Sequence, residues 1–281
     1  FNLVVGSGRT VGHALVEERG IDALSFTGSV PTGNHLLKQA AARGLKIQLE
    51  MGGKNPLLVL ADADLDLAVE IAVNGAYFST GQRCTASSRL IVERAVYDEF
   101  VARVAKRLAT LKIGHALTPG IDIGPVASAG QFAQDRDYVR IAQEEGAELL
   151  YGGDALECEH RGHYMRPALI AAQPQHRIAR EEVFGPVAAV MPADDYEHAL
   201  ALANDTEFGL CAGIATRSLK HATHFKRHAQ AGMVMVNLPT AGVDPHVPFG
   251  GRKASSYGPR EQGRYAVEFY TTVKTAYTFA G

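Results

Sequence analysis

Two residues in separate glycine-containing segments have side chains suited to covalent catalysis. Cys84 lies in the segment FSTGQRCTASSR, between an apolar helical pattern and a strand pattern. Glu50 ends a strand pattern in LEMGGKNP, two residues before a pair of glycines. A thiol nucleophile together with a carboxylate that serves as its base is a pairing used in covalent catalysis. The alternatives are that Cys84 is an inert packing residue and that Glu50 is a solvated residue at a strand end.

Two turns near the start of the chain have residues suited to binding a phosphate group. The glycine-rich turn GSGRTVG (residues 6–12) follows a strand pattern and opens a helix, and Gly28-Ser29 precedes a second helix with Pro31 near its start. Helix amino ends carry unpaired N–H groups and the positive end of the helix dipole, which favours anions. The alternatives are a tight turn that needs no ligand and a serine that only caps its helix.

Charged and aromatic side chains in two other segments are candidates for ligand contacts. Two acids, Glu181 and Glu182, and the aromatic Phe184 precede a rigid Gly-Pro turn, where a carboxylate suits ribose hydroxyls and a ring supports a flat ligand. Their alternative is a charged lead-in to the next strand. Arg83, next to Cys84, is a candidate partner for a substrate carboxylate, and its alternative is a structural ion pair.

The elements that position these residues follow an α/β pattern. Strand patterns over 3–5, 22–28 and 46–50 alternate with helix patterns, which is typical of parallel sheets with helices on their faces. A carboxylate at the carboxyl edge of such a sheet, as predicted for Glu50, lies where ligands bind in open α/β folds. After residue 53 the alternation continues, with helices predicted over 65–78, 96–111, 131–145, 196–204 and 219–228. The last strand pattern covers 271–279.

Composition excludes several classes of protein. The chain has 281 residues, 46% of them hydrophobic and 21% charged, with a net charge of −2. These values predict no nucleic-acid partner and no membrane association. The three cysteines are few and widely separated, so we expect a cytoplasmic protein without a disulfide framework. The Cys/His segment from Cys158 to His163 lacks metal-site spacing, so no metal is predicted. We interpret the histidines at 221, 224 and 228 as a polar helix face.

Five motifs in order carry a resemblance to the aldehyde dehydrogenase superfamily. They are SFTGS, LEMGGKNP, FSTGQRC, EEVFGPV and PFGGRKASSYGPREQG, and the similarity runs from residue 1 to residue 281. Residues 227–263 resemble most the 2-oxoglutarate (alpha-ketoglutarate) semialdehyde dehydrogenases. The resemblance implies an α/β fold made of the tail of a Rossmann-type nucleotide-binding sheet (1–52), an α/β catalytic domain (53–251), and a return segment (252–281). The strand over 271–279 is then expected to pair with a partner subunit in a homodimer or homotetramer.

The resemblance also implies roles for individual residues. Cys84 matches the nucleophile and Glu50 the general base, and the backbone N–H of Cys84 would contribute to an oxyanion hole. NAD or NADP is the implied cofactor, and its implied binding residues are Gly28, Ser29, Gly52, Glu182 and Phe184. The implied reaction oxidises an aldehyde, such as an acidic semialdehyde, to a carboxylic acid through a thiohemiacetal and a thioester.

The start of the chain leaves alternatives open. Residue 1 begins directly with a strand pattern, so we expect the chain to start inside a domain. The asparagine and lysine that complete the family's site lie upstream of the equivalent of Phe1. The alternatives to a complete dehydrogenase are therefore a catalytically incomplete fragment and a cofactor-independent thiol esterase.

Overall fold

The computed structural model describes residues 1–281 as strands alternating with helices. The strands are β1 (Ala23–Thr27), β2 (Lys46–Glu50), β3 (Asn55–Val59), β4 (Ser87–Glu93), β5 (Glu148–Tyr151), β6 (Ala155–Leu156), β7 (Tyr164–Met165), β8 (Ala168–Ala171), β9 (Val187–Ala193), β10 (Phe208–Gly209), β11 (Cys211–Ala215), β12 (Met233–Val236), β13 (Arg252–Lys253) and β14 (Ser256–Tyr257). The helices are α1 (His13–Glu17), α2 (Val30–Arg43), α3 (Leu65–Tyr77), α4 (Arg94–Ala109), α5 (Ala129–Glu144), α6 (Arg177–Arg180), α7 (Tyr196–Asn204), α8 (Leu219–His228) and α9 (Ala266–Tyr270). A π-helical turn (Gly8–Gly12) precedes α1, and the turns Phe78–Gly81 and Gly263–Tyr265 are 3₁₀-helical.

The chain folds into two compact units, and each unit is built from more than one segment of the sequence. The first unit contains residues 1–51, 243–250 and 254–281, and the second contains residues 52–242 and 251–253. The predicted return segment (252–281) therefore contributes 254–281 to the first unit and 252–253 to the second.

The first unit is built on a small three-stranded sheet. β2 pairs in parallel with β1 and in antiparallel with β14, so Glu50 stands opposite both Thr27 and Ser256. One face of β2 packs beneath α2, where Ile47, Leu49 and other apolar side chains form the core. The register places the end of β2 level with the turn that leads from β1 into α2.

The second unit is built on a seven-stranded sheet with the order β12-β11-β3-β4-β9-β8-β5. All neighbouring pairs are parallel except β8 and β5. Side chains of β3, and of Leu60 directly after it, alternate between two cores: Leu57 and Val59 pack with α3 and α4, whereas Leu58 and Leu60 pack with α7 and α8. Because successive strand residues point to opposite faces, the continuous apolar run of β3 reflects a strand covered on both sides.

The structure confirms the α/β alternation and corrects it at both ends of the chain. Residues 1–5 and 271–281 form neither helix nor strand, although strands were predicted over 3–5 and 271–279. Both segments are exposed and have no strand beside them within this chain. A strand needs a hydrogen-bonded neighbour to be stable, so apolar alternation alone is insufficient there. Pairing of 271–279 with a partner subunit stays a prediction.

None of the helices has the length and continuous apolar character that crossing a membrane requires.

Candidate active site

The amino ends of three neighbouring strands bring several predicted site residues together in the second unit. β4 lies between β3 and β9 in the sheet. The Cys84 loop leads into β4, Gly52 and Gly53 lead into β3, and the Glu182–Phe184 segment leads into β9. Since amino ends of parallel strands meet at one edge, the three segments are neighbours despite their separation along the chain.

The loop that carries Cys84 has an unusual backbone. Three successive residues, Ser79, Thr80 and Gly81, have positive φ angles of 54°, 59° and 62°. Such angles are unfavourable for residues other than glycine and are maintained by surrounding contacts. The Thr80 hydroxyl donates to the carbonyl of Gly124 at 3.2 Å, and the Gln82 side-chain oxygen accepts the backbone N–H of Ala127 at 2.9 Å. These bonds tie the loop to the segment of residues 124–127.

Gly53 contacts both the Cys84 loop and Glu182. Its backbone N–H donates to the Glu182 carboxylate at 2.8 Å. A Cβ atom at this position would lie 2.8 Å from the backbone oxygen of Cys84, closer than real Cβ atoms come to such atoms. A glycine is therefore needed here, because a Cβ atom would collide with the Cys84 carbonyl and lie 3.0 Å from the side-chain amide of Asn55.

The carboxylate of Glu182 is partly desolvated. Burial raises its pKa, while the N–H of Gly53 and the charge of Lys54 act in the opposite direction. A Cβ atom on Gly52 would lie 2.3 Å from the Glu182 carboxylate, so a second glycine makes room for this side chain. Both glycines of the GG pair thus serve the Glu182 carboxylate, one by donating a hydrogen bond and one by leaving space.

Phe184 stands in a strained turn supported by α5. Its φ angle is 62°, and its side chain is 38% exposed. Behind the turn, the Gln131 side-chain amide donates to the Val183 carbonyl at 2.8 Å and to Asp135 at 2.7 Å. Burial raises the pKa of Asp135 to about 7. The exposed ring therefore projects from a segment whose backbone is fixed from within.

Arg83 makes contacts that differ from those of a substrate-binding arginine. Its guanidinium donates to the backbone carbonyls of Asn74 and Gly75 in the last turns of α3. Cations at helix carboxyl ends are favoured by the helix dipole. This is a structural role, although the acceptors are carbonyls rather than the carboxylate that the ion-pair alternative assumed. A substrate contact by Arg83 stays a prediction.

Lys54 and Arg89 are two buried cations that the sequence did not single out. Arg89 donates to the carbonyls of Lys54, Leu202 and Ala203, each within 3.0 Å. The Lys54 side chain is 1% exposed, and its Nζ lacks a hydrogen-bond partner. Burial, followed by the charge of Arg89, lowers the pKa of Lys54 to about 7.

In the first unit, Glu50 is a buried carboxyl group and not a solvated strand end. Its side chain is 3% exposed, and the Ser256 hydroxyl donates to it at 2.7 Å. Burial raises its pKa to about 7; the Ser256 bond lowers it, Glu261 raises it and Arg260 lowers it. A carboxyl group with a pKa near the operating pH is suited to general base catalysis.

Gly28 and Ser29 lie at the same carboxyl edge of the small sheet as Glu50. The backbone N–H of Gly28 donates to the Glu50 carbonyl at 3.0 Å. Ser29 occupies the N-cap position of α2, but its hydroxyl contacts the Thr32 hydroxyl at 3.0 Å and does not cap the backbone. A serine used only as a cap would bond a backbone N–H of the first turn, so this arrangement leaves the amino end of α2 available to an anion.

An open cleft of about 660 Å³ lies beside these residues within the first unit. Its walls include the apolar side chains of Leu24, Phe26 and Leu36, and its rim includes Gly8 and Gly12. A Cβ atom on either glycine would meet nothing within 4 Å. The glycine-rich turn of residues 6–12 therefore borders open space large enough for a flat ligand.

The remaining cysteines and histidines form no metal centre. The structure has no group of three or more His, Cys, Asp or Glu side chains placed to bind a metal ion. His160 stacks on His115, and His163 stacks on Phe132. On α8, the His224 ring stacks on His228 and bonds the Tyr196 hydroxyl. None of the three cysteines is in a disulfide.

Fold and site together define an α/β protein with a cysteine loop at a parallel sheet edge and a separate unit carrying a buried glutamate. The chain belongs to the aldehyde dehydrogenase family, whose model matches residues 1–276. The predicted family and fold class are thereby confirmed.

Several relatives are similar over nearly the whole chain. It is 43% identical to an alpha-ketoglutaric semialdehyde dehydrogenase of Bacillus subtilis, covering 99% of this chain and 57% of that protein. It is 43% identical to an alpha-ketoglutarate semialdehyde dehydrogenase of Haloferax volcanii, covering 99% of this chain and 58% of that protein. It is 40% identical to a 2,5-dioxopentanoate dehydrogenase of Saccharolobus solfataricus, covering 98% of this chain and 58% of that protein. The chain thus spans somewhat more than half the length of these relatives.

Solved structures agree with this assignment. The crystal structure of betaine aldehyde dehydrogenase from Staphylococcus aureus, in complex with NAD⁺, superposes with a TM-score of 0.92 at 34% identity, covering 95% of this chain and 53% of that one. The structure of an aldehyde dehydrogenase from Bacillus cereus superposes with a TM-score of 0.92 at 34% identity, covering 96% of this chain and 54% of that one.

Proposed function

We propose that this chain carries the nucleophile and general base of an NAD(P)⁺-dependent aldehyde dehydrogenase that oxidises an acidic semialdehyde to a carboxylic acid. The observation that carries the proposal is the position of Gly53, which contacts both the backbone of Cys84 and the carboxylate of Glu182. A thiol and a ribose-binding carboxylate on either side of one glycine suit a reaction that joins an aldehyde to a nucleotide cofactor.

Cys84 is proposed to form the covalent intermediate. Its thiolate adds to the aldehyde carbon to give a thiohemiacetal oxyanion. Loss of a hydride, for which bound NAD(P)⁺ would be the acceptor, turns this oxyanion into a thioester, and water then releases the acid and restores the thiol. Splitting the oxidation into these steps replaces one difficult reaction by easier ones. The backbone N–H of Cys84 is the proposed donor to the oxyanion.

Glu50 is proposed to activate the thiol and the hydrolytic water. A general base must be ionised to accept a proton, so with a pKa of about 7 its activity is expected to rise as the pH passes through neutrality. The Ser256 hydroxyl donates to one carboxylate oxygen and fixes the orientation of the group.

The residues present fit a nicotinamide dinucleotide. The cleft beside Leu24, Phe26 and Leu36 has the apolar walls that suit a flat base, and the amino end of α2 at Ser29 suits a phosphate. Glu182 would bind ribose hydroxyls, and Phe184 would support a ring. When bound, such a cofactor supplies the hydride acceptor.

The substrate class rests on similarity. Relatives at 40–43% identity over nearly the whole chain are named for alpha-ketoglutarate semialdehyde or 2,5-dioxopentanoate. We therefore propose 2-oxoglutarate semialdehyde as the leading substrate.

The test is NADH and NADPH formation by the chain expressed with any coding sequence that precedes Phe1. We expect turnover of 2-oxoglutarate semialdehyde above that of an uncharged aldehyde of similar length. Cys84→Ala should abolish turnover, whereas Cys158→Ala, a matched change at another half-buried loop cysteine, should retain it. Ester hydrolysis that requires Cys84 without any NAD(P)H formation would instead favour a thiol esterase.

A further inference from the structure

We infer that Asn55 and Thr240 are positioning residues that fix the backbone on both sides of Cys84 and thereby set the direction and reactivity of its thiol. The inference rests on the proposed function of Cys84 as the nucleophile. Both residues are buried, with exposures of 2% for Asn55 and 0% for Thr240, and both lie in the same unit as Cys84.

Asn55 binds two carbonyls of the nucleophile loop with one amide. Its Nδ2 donates to the oxygen of Cys84 at 2.8 Å and to the oxygen of Ala86 at 2.9 Å. Its Oδ1 accepts the backbone N–H of Cys211, at the start of β11, at 2.9 Å. The amide orientation is unambiguous, because carbonyls only accept and an N–H only donates. Asn55 thus ties the loop to the central strand β3 and to β11.

Thr240 binds the carbonyl between those two. Its hydroxyl donates to the oxygen of Thr85 at 2.7 Å and lies 2.6 Å from the Ser87 hydroxyl. Thr240 comes from the segment after β12, more than 150 residues further along the chain. A third element therefore contributes to the same short stretch of backbone.

Together with one local turn, these bonds fix four successive peptide planes. The Arg83 oxygen accepts the N–H of Ala86 at 2.9 Å, and the next three carbonyls are those held by Asn55 and Thr240. Peptide groups are planar, so fixing the planes before and after Cys84 fixes both of its backbone dihedral angles. The Cα–Cβ bond and the N–H of Cys84 then have one direction each.

Buried side chains from two distant parts of the chain thus hold the short stretch of backbone that carries Cys84. Misplacing a reacting group by about 1 Å can lower a rate about 100-fold, so a nucleophile on a loop needs such support. We expect loss of the Thr240 hydroxyl to lower kcat by about tenfold to 100-fold with little change in KM. We also expect it to shift the pH dependence of Cys84 alkylation.

The experiment compares Thr240→Val with Thr216→Val in the full chain. Thr216 is equally well buried, at 3% exposure, and its hydroxyl bonds Asp62 at 2.7 Å, in the segment that follows β3. Both changes remove one buried hydroxyl without changing the shape of the side chain. Iodoacetamide alkylation of the Cys84 peptide is followed by mass spectrometry as a function of pH, which requires neither cofactor nor substrate. Melting temperature, kcat and KM are measured on the same samples.

The inference predicts that Thr240→Val alters the pH dependence of Cys84 alkylation and lowers kcat. Thr240→Ser, which keeps the hydroxyl, should retain the wild-type alkylation and kcat. Thr216→Val should lower only the melting temperature. Asn55→Ser, whose short side chain cannot reach both carbonyls, should behave as Thr240→Val does, and it decides the question if Thr240→Val does not fold. Wild-type alkylation profiles in the Thr240 and Asn55 variants, or equal effects of Thr216→Val, would overturn the inference. If no aldehyde yields NAD(P)H but the alkylation differences persist, the proposed function fails while the positioning role stands.

Discussion

Replacing Glu50 with glutamine should stabilise the protein at alkaline pH while removing its proposed catalytic base. The wild-type carboxyl group is 3% exposed, and burial raises its pKa from 4.5 to about 7. In the unfolded chain the pKa returns to its ordinary value, so the folded state holds this proton more tightly. The free energy of unfolding therefore falls as the pH rises from 4.5 through 7.

The size of the effect follows from the pKa difference. One pKa unit corresponds to about 1.4 kcal/mol, so the change from 4.5 to about 7 corresponds to about 3 kcal/mol. Glutamine cannot ionise, and it still offers an oxygen to the Ser256 hydroxyl. We expect the stability of Glu50→Gln relative to wild type to increase by about 3 kcal/mol between pH 4.5 and about pH 8.

Urea unfolding followed by circular dichroism at a series of pH values measures this difference. Asp135→Asn is the matched control, because burial likewise raises the pKa of Asp135 to about 7, and it should show the same trend. A stability difference between Glu50→Gln and wild type that is independent of pH would refute the reasoning, since it would mean that Glu50 ionises normally in the folded protein.

Further predictions concern the segment Gly52–Lys54. Gly52→Ala places a methyl group against the flexible end of Glu182, so the KM for the cofactor should rise about tenfold while the melting temperature changes little. Gly53→Ala places a methyl group against the rigid backbone oxygen of Cys84, so kcat and the melting temperature should both fall, and kinetics with thermal unfolding distinguish the two variants. Lys54→Met should stabilise the protein most below pH 7 and progressively less as the pH rises from 7 towards 10.5, because in that range the unfolded chain still binds the lysine proton that the folded protein has released; urea unfolding at pH 7 and at about pH 10 tests this.

Much of the fold could be predicted because local signals agreed with the tertiary structure. Helices α7 and α8 have the predicted bounds, and in each case a side chain directly before the helix, Asp195 or Ser218, bonds a backbone N–H of the first turn. The prediction of strands over 3–5 and 271–279 was wrong within this chain, because a strand needs a neighbour to pair with and local sequence does not reveal that neighbour. The two-residue strands β13 and β14 are too short to show a periodic pattern.

The site was predictable only where its residues lie within motifs. Cys84 and Glu182 come from separate motifs, and the structure places both beside Gly53. Asn55, Thr240 and Ser256 were missed, although Asn55 lies within LEMGGKNP and Ser256 within PFGGRKASSYGPREQG. Their partners are 29, 155 and 206 residues away along the chain. Hydrogen bonds over such separations are set by the fold and leave no periodic signal in the sequence.

The most direct test of the account is to trap the acyl group on Cys84. The Glu50→Gln variant is mixed with 2-oxoglutarate semialdehyde and NAD⁺ or NADP⁺, quenched in acid, digested and analysed by mass spectrometry. The reaction is run at about pH 9, where a free thiol ionises without a base, so that only the hydrolytic step still depends on Glu50. The variant should then accumulate a thioester on the Cys84 peptide, and the wild-type protein should show far less. An acyl group on another residue, or NAD(P)H formation that persists in Cys84→Ala, would contradict the assignment of Cys84 as the nucleophile.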